Sequence, residues 1–235
     1  MVVRSCLLPL LMVAPCHAGE PAVAVINATT ALQDAQLEPA VTALQVQVRR
    51  DFLPAWGASA ALVLVGRGQV APAGAWQLVV TDATDVGGDL SAPRFTDDHR
   101  PLGFARVGAA LGPDGPWTAA VSRGLLRLLA DPWRDRTALA AAGPPDPVTR
   151  VAPYRLTYAD VTSPVARDTY SINGVTVADF VTPAYFDPSL ATEPAAPLDH
   201  LQVVRAPLEL RPGGYRVVWT FTTATPCIPS YQKGP

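Results

Sequence analysis

The chain has 235 residues, 49% apolar and 16% charged side chains, a mean hydropathy of +0.19 and a formal charge of -2. It is too apolar for a disordered segment and long enough for one sizeable domain with a small annex. Eighteen basic against twenty acidic residues leave no broad positive field, which excludes a general electrostatic grip on nucleic acid or anionic lipid.

Arg4, the apolar stretch Cys6 to Pro15, and Cys16-His17-Ala18 before Gly19-Glu20-Pro21 follow the order of a secretory signal peptide over residues 1–18, with cleavage after Ala18. The expected location is periplasmic or secreted, or cytoplasmic if the start codon is mis-assigned. No apolar run in the mature chain is long enough to span a bilayer. Cleavage would remove Cys6 and Cys16 and leave Cys227 with no internal partner, and three cysteines exclude a four-cysteine zinc site. Lys233 is the only lysine and prolines number 25, the usage of a GC-rich bacterial genome, so an arginine by itself says little about a site.

Ala22 to Asn27 alternates small and β-branched residues and predicts a first strand. Asn27-Ala28-Thr29 matches a glycosylation sequon but reads as an ordinary turn. Leu37, Val41, Leu44, Val48 and Phe52 form one apolar stripe at helical spacing, with Asp34 as the expected N-cap and Pro39 awkward in the second turn. Ala61 to Val65, Trp76 to Thr81 and Leu102 to Val107 read as further strands, the first two as buried ones. Trp117 to Ala130 predicts a second helix whose Val121, Leu125, Leu128 and Leu129 make a core face, stopped by Asp131-Pro132. Ala138 to Arg150 breaks every period and reads as a loop or linker. Asn173-Gly174 between two β-prone arms signals a type I′ hairpin, and Pro212-Gly213-Gly214 introduces a strand from Tyr215 to Trp219.

A series of phrases runs in order along nearly the whole mature chain. They are Val25-Ile-Asn27, Val48-Arg-Arg-Asp-Phe-Leu-Pro-Ala-Trp-Gly57, Pro101-Leu-Gly103, Trp117-Thr118, Leu125-Leu126 and Leu129-Ala-Asp-Pro132. Asp168-Thr-Tyr170, Asn173-Gly-Val-Thr-Val177, Asp179-Phe-Val181, Pro183-Ala-Tyr-Phe-Asp-Pro188, Ala206-Pro-Leu-Glu-Leu210 and Pro212-Gly-Gly-Tyr215 continue it. Together they resemble a largely uncharacterised bacterial and phage-associated family of zinc-metallopeptidase-like, zincin-like proteins. The resemblance implies an α+β fold, α/β-like in its N-terminal half. Residues 19–135 would be a zincin-like core with a twisted sheet and two main helices, 136–150 a Pro/Ala-rich linker or loop, and 151–235 a hairpin-rich β portion packed on the core. It also implies a helix carrying Ser-His-Glu-x-x-Glu, in which His and the second Glu ligate Zn²⁺ and the first Glu activates the bound water.

Laid on Ser122 to Pro132, that motif puts Arg123 at the histidine ligand, Gly124 at the general base and Arg127 at the second ligand. Guanidinium has no lone pair to give a cation, and glycine has no side chain. Ser91-Ala-Pro-Arg94 stands where relatives carry Gly-Tyr-His-Asp, and Asp160 to Ala166 where they carry Glu-x-Cys-Asp-Pro-x-Glu, so only Asp160 keeps its acid. The implied function is a catalytically inactive, exported binding or structural module without cofactor, engaging a protein or peptide partner. The enzyme alternative is a metal-dependent hydrolase, a zinc peptidase, with a relocated site in which Asp160 works with His99 or His200.

Arg123 and Arg127 could form an anion-binding pair, although their position opposite Leu125 and Leu128 reads more simply as a solvated face. His99 in Thr96-Asp-Asp-His-Arg100 and His200 beside Asp199 read as polar loops. Ser122 lacks the Gly-x-Ser-x-Gly elbow of a serine hydrolase. Trp117, Trp133, Tyr185, Phe186 and Trp219 read as core anchors, with a peptide or glycan groove as the alternative.

Overall fold

In a computed structural model, residues 19–82, 94–107, 116–141, 143–144, 150, 152–187, 189, 196–221 and 228–235 are described. The signal-like segment, Ser91 to Pro93 and Cys227 lie outside them. Among the described residues the protein is a mixed α/β structure with three sheets and few helices. Strands β1 (Ala22–Asn27), β2 (Ala61–Val65), β3 (Trp76–Thr81) and β4 (Leu102–Arg106) form a fully parallel sheet in the order β2-β1-β3-β4. Their near-continuous apolar runs suit a parallel sheet. Val23, Val25, Leu78 and Val80 are fully buried in the main core, while Ala24, Val65 and Ala75 make a small second cluster.

Helix α1 (Asp34–Val46) and the π-helical stretch that continues it carry the predicted stripe: Leu37, Val41, Leu44, Val48 and Phe52 are all buried. Asp34 is the first helical residue rather than the cap. The cap position is Gln33, whose main-chain N–H donates to Gln36 Oε1 at 2.8 Å, and Asp34 instead takes the Asn27 amide at 2.6 Å. Asn27 also donates to Leu32 O and is 1% exposed, so the sequon is a closed turn. The helix runs on through a π-helical stretch, Gln47–Phe52, into α2 (Leu53–Trp56), and ends on Gly57 at φ 65°, a left-handed cap that favours glycine.

Helix α3 (Trp117–Ala130) is buried on nearly all sides. It packs on β3 and β4, and its far side meets β8 of the hairpin β7 (Thr169–Ile172)–β8 (Val175–Ala178). The hairpin turns at Asn173 and Gly174, both at positive φ as a type I′ turn requires. Gln47 joins α1, α3 and β8: its Nε2 donates to Ala178 O at 2.8 Å and its Oε1 accepts from Ser122 Oγ at 2.7 Å.

The rest builds an antiparallel sheet in the order β10-β9-β6-β5, from β5 (Thr137–Ala141), β6 (Tyr154–Tyr158), β9 (Tyr215–Phe221) and β10 (Ile228–Lys233). Strand β5 falls inside the stretch read as a linker. Its Ala-rich run has little β propensity and is an edge strand by virtue of pairing with β6. A short helix, α4 (Pro183–Phe186), lies between the hairpin and β9. No side chain fits at Gly214 against the Pro164 carbonyl, and this close approach docks β9 on the segment that follows Asp160. Among the described residues no helix is long and apolar enough to cross a membrane.

Candidate functional site

Parallel sheets commonly bind ligands at the carboxyl ends of strands where strand order reverses, here between β1 and β3. In this protein that crevice is closed by its own side chains. Asp82 accepts from the hydroxyls of Thr29 and Thr30, and Arg67 Nη2 donates to Thr29 O and Leu32 O at 2.6 and 2.8 Å.

The open space lies instead between the edge strand β4 and α3. A cavity of about 290 Å³ there is lined by Arg94, Arg106, Arg123, Arg127, Arg134 and Asp131, with Gly124 in its wall. All three degenerate motif positions therefore reach one cavity. Arg123 and Arg127 are not a solvated face: Arg123 is 8% exposed and donates from Nη1 to Ala166 O at 2.9 Å. Arg127 is half-buried, with Nε on Asp160 Oδ1 at 2.9 Å and Nη2 on Ser163 Oγ at 2.8 Å. The residues that follow β6 fold back over this side of the helix, which helical spacing alone does not reveal.

Asp160 is fully engaged by protein donors. Besides Arg127 it accepts the N–H groups of Thr162 and Ser163 at 3.1 and 3.0 Å and the Ser163 hydroxyl at 2.6 Å. Burial would raise its pKa, but the Arg127 charge and these donors hold it at about 2. Asp131 is 2% exposed; burial raises its pKa, against the N–H groups of Asp135 and Arg136 that favour the charged form. Gly124 is a packing position. A Cβ there would stand 2.9 Å from Phe104 O and 3.1 Å from Leu78 Cδ1, so an acidic side chain has no room without separating α3 from β4.

Zinc does not fit these residues: two guanidinium groups repel it, and the one carboxylate of the motif segments is held by Arg127 and Ser163. The other metal candidates do not join Asp160. His99 sits at φ 59° in the turn closed between Thr96 and Arg100. His200 stacks on Phe180 with ring centroids 5.2 Å apart and lies 3.9 Å from Asp51. Among the described residues no group of three or more His, Cys, Asp or Glu is placed to hold a metal ion. Ser122 is fully buried, accepting the Ala178 N–H at 3.0 Å while donating to Gln47, a structural role.

Asp199 does not orient His200. Its carboxylate accepts the N–H groups of Val203 and Val204 and neighbours Asp179, and both acids are fully buried. Burial, then the Asp199 carboxyl, push Asp179 up to about 8, and its Oδ2 finds no donor among the described residues. Asp179 thus holds a proton at neutral pH.

The aromatic residues divide. Tyr185 is a buried anchor, Trp117 and Phe186 pack against the core, and Trp133 is half exposed against Phe95. Tyr185, Phe186 and Trp219 also share a trough of about 600 Å³ with Tyr158 and Tyr231. Arg127, Arg134 and Tyr215 line both this trough and the arginine cavity. Arg106 and Arg134 carry no sequence signal of a site, whereas Arg94 closes the segment that stands where relatives carry Gly-Tyr-His-Asp; the fold brings the three together. No family model, curated protein or solved structure matches the chain.

Proposed function

We propose that this protein is a zincin-like, catalytically inactive relative of the metallopeptidase-like family, exported and acting as a binding module for a protein or peptide partner. One observation carries the reading. The positions that the resemblance assigns to ligand, base and ligand are Arg123, Gly124 and Arg127; they line a shared cavity, and none of the three can coordinate zinc or take a proton at neutral pH. A cavity kept open at that place is what a binding role needs, and the two compartments joined at Arg127 and Tyr215 give it a polar and an aromatic end.

Metal analysis of the purified protein, paired with peptide cleavage assays with and without EDTA, tests this. The expected result is no stoichiometric zinc and no EDTA-sensitive cleavage. Stoichiometric zinc, lost together with cleavage on Asp160→Ala or His200→Ala, would establish the hydrolase instead.

A further inference from the structure

The antiparallel sheet is laid with its apolar side out. Strand register places Leu139, Leu156, Trp219 and Pro229 in one row across β5, β6, β9 and β10. Side chains two residues apart along a strand share a face, so Ala141, Tyr154 and Phe221 stand on the same side, as do Tyr158, Val217 and Tyr231. Ring contacts agree: Tyr154 stacks on Phe221 with centroids 4.7 Å apart, and Tyr158 meets Trp219 edge-on at 4.9 Å. The intervening row is Ala138, Thr157, Val218 and Ser230. It is this small, partly polar side that the rest of the chain covers at its centre, where Thr157 and Val218 are 7% and 2% exposed. One-sided antiparallel sheets normally bury the apolar face and leave the polar one wet. Among the described residues, none of Leu139, Tyr154, Leu156, Tyr158, Trp219 or Phe221 belongs to a core cluster or packs against one. Tyr231 is 73% and Leu139 64% exposed.

Large apolar patches left open mark interaction surfaces. At about 200 Å² for a whole aromatic side chain, the exposed fractions on this face amount to about 600 Å² per copy. Two copies face to face would bury about 1,200 Å², the lower end of a specific interface. The charge pattern admits that pairing: on the open side only Lys233, at a corner, is charged among the described strand residues, while Arg155 and Arg216 lie on the other side. A second copy therefore meets no like charge at the centre, and a two-fold contact sets aromatic rows against aromatic rows. Going beyond the binding-module reading, we propose that the face carrying Tyr154, Trp219 and Tyr231 is the interface of a reversible homodimer in which two such sheets stack face to face. Tyr158, Trp219 and Tyr231 also line the trough, so each copy forms part of the other's trough wall.

Sedimentation velocity of the purified protein over a concentration series, in reducing buffer, tests this. The expected result is a monomer–dimer equilibrium with a micromolar Kd, not weakened by added sodium chloride because no charge pairing holds it. Tyr231→Glu and Leu139→Glu, on opposite edge strands of the sheet, should each weaken association at least about tenfold by pressing a charge against the partner's apolar face. Val70→Glu, at a residue 92% exposed and outside the sheet, should leave it unchanged. All three alter exposed side chains, and circular dichroism verifies their folding. A monomer at every concentration, dimers that neither Tyr231→Glu nor Leu139→Glu weakens, or dimers that salt dissociates would overturn the proposal. So would a monomeric protein that pellets with phosphatidylcholine vesicles and loses that binding on Tyr231→Glu, which would assign the face to lipid. None of these results bears on zinc or cleavage, so the inactive-module reading stands or falls separately.

Discussion

Two regions of this molecule crowd like charges, and they resolve the crowding in opposite ways. At Asp179 and Asp199 two acids are fully buried side by side, and the repulsion is relieved internally because Asp179 keeps a proton. Around Arg123 and Arg127 five guanidinium groups share a cavity, and none can shed its charge. The first cluster is sealed; the second is balanced in part from within, by Asp160 on Arg127 and Asp131 near Arg134, and remains hollow. Like charges brought together thus build a structural element in one place and line a candidate binding site in the other.

The largest effect is expected at the wall of the cavity. Gly124→Glu, which restores an acid at the motif position, should cost about 4 kcal/mol or unfold the protein, because its Cβ meets Phe104 O and its charge is buried. Urea denaturation reads this directly, and a stable variant would mean that α3 and β4 can part to admit a catalytic side chain.

The acid pair gives the next effect. The folded pKa of Asp179, pushed up to about 8, lies above the ordinary aspartate value of about 4, so folding takes up a proton between these limits and stability falls as pH rises through that window. The loss should be about 3 kcal/mol between pH 5 and pH 8. Asp179→Asn keeps a donor toward Asp199 without a charge and should flatten that profile. A wild-type profile already flat there would place the pair's charge elsewhere.

Arg127→Met should cost about 2 kcal/mol at pH 7 by leaving Asp160 half-buried without its cation. The acid limb is smaller. Asp160 is depressed to about 2, so its contribution is present above the unfolded value near 4 and is lost as pH falls toward 2, about 1–2 kcal/mol in the wild type. The Arg127→Met variant should lack that limb in acid titrations followed by circular dichroism.

Legibility from sequence followed the same divide. Strands β1, β2 and β3, helix α3 and the Asn173-Gly174 hairpin were readable because each carries its own period or turn chemistry. Strand β5 was not, since Thr137–Ala141 has no β-branched run and is a strand only through β6. The N-cap shifted from Asp34 to Gln33 because Asn27 claims the aspartate. Arg123, Gly124 and Arg127 could be placed on one helix from the sequence, but their burial could not, because the chain that covers them returns from residues 160–166 and 215. Arg94, Arg106 and Arg134 come from the segment that precedes β4, the end of β4, and the turn after α3, segments that no local pattern connects.

Crystals soaked in zinc, with anomalous data collected at the zinc absorption edge, would test the central claim most directly. No zinc peak in the cavity, with Arg127 still on Asp160, is the predicted outcome. A zinc peak beside Asp160, with Arg127 swung away from it, would contradict the account.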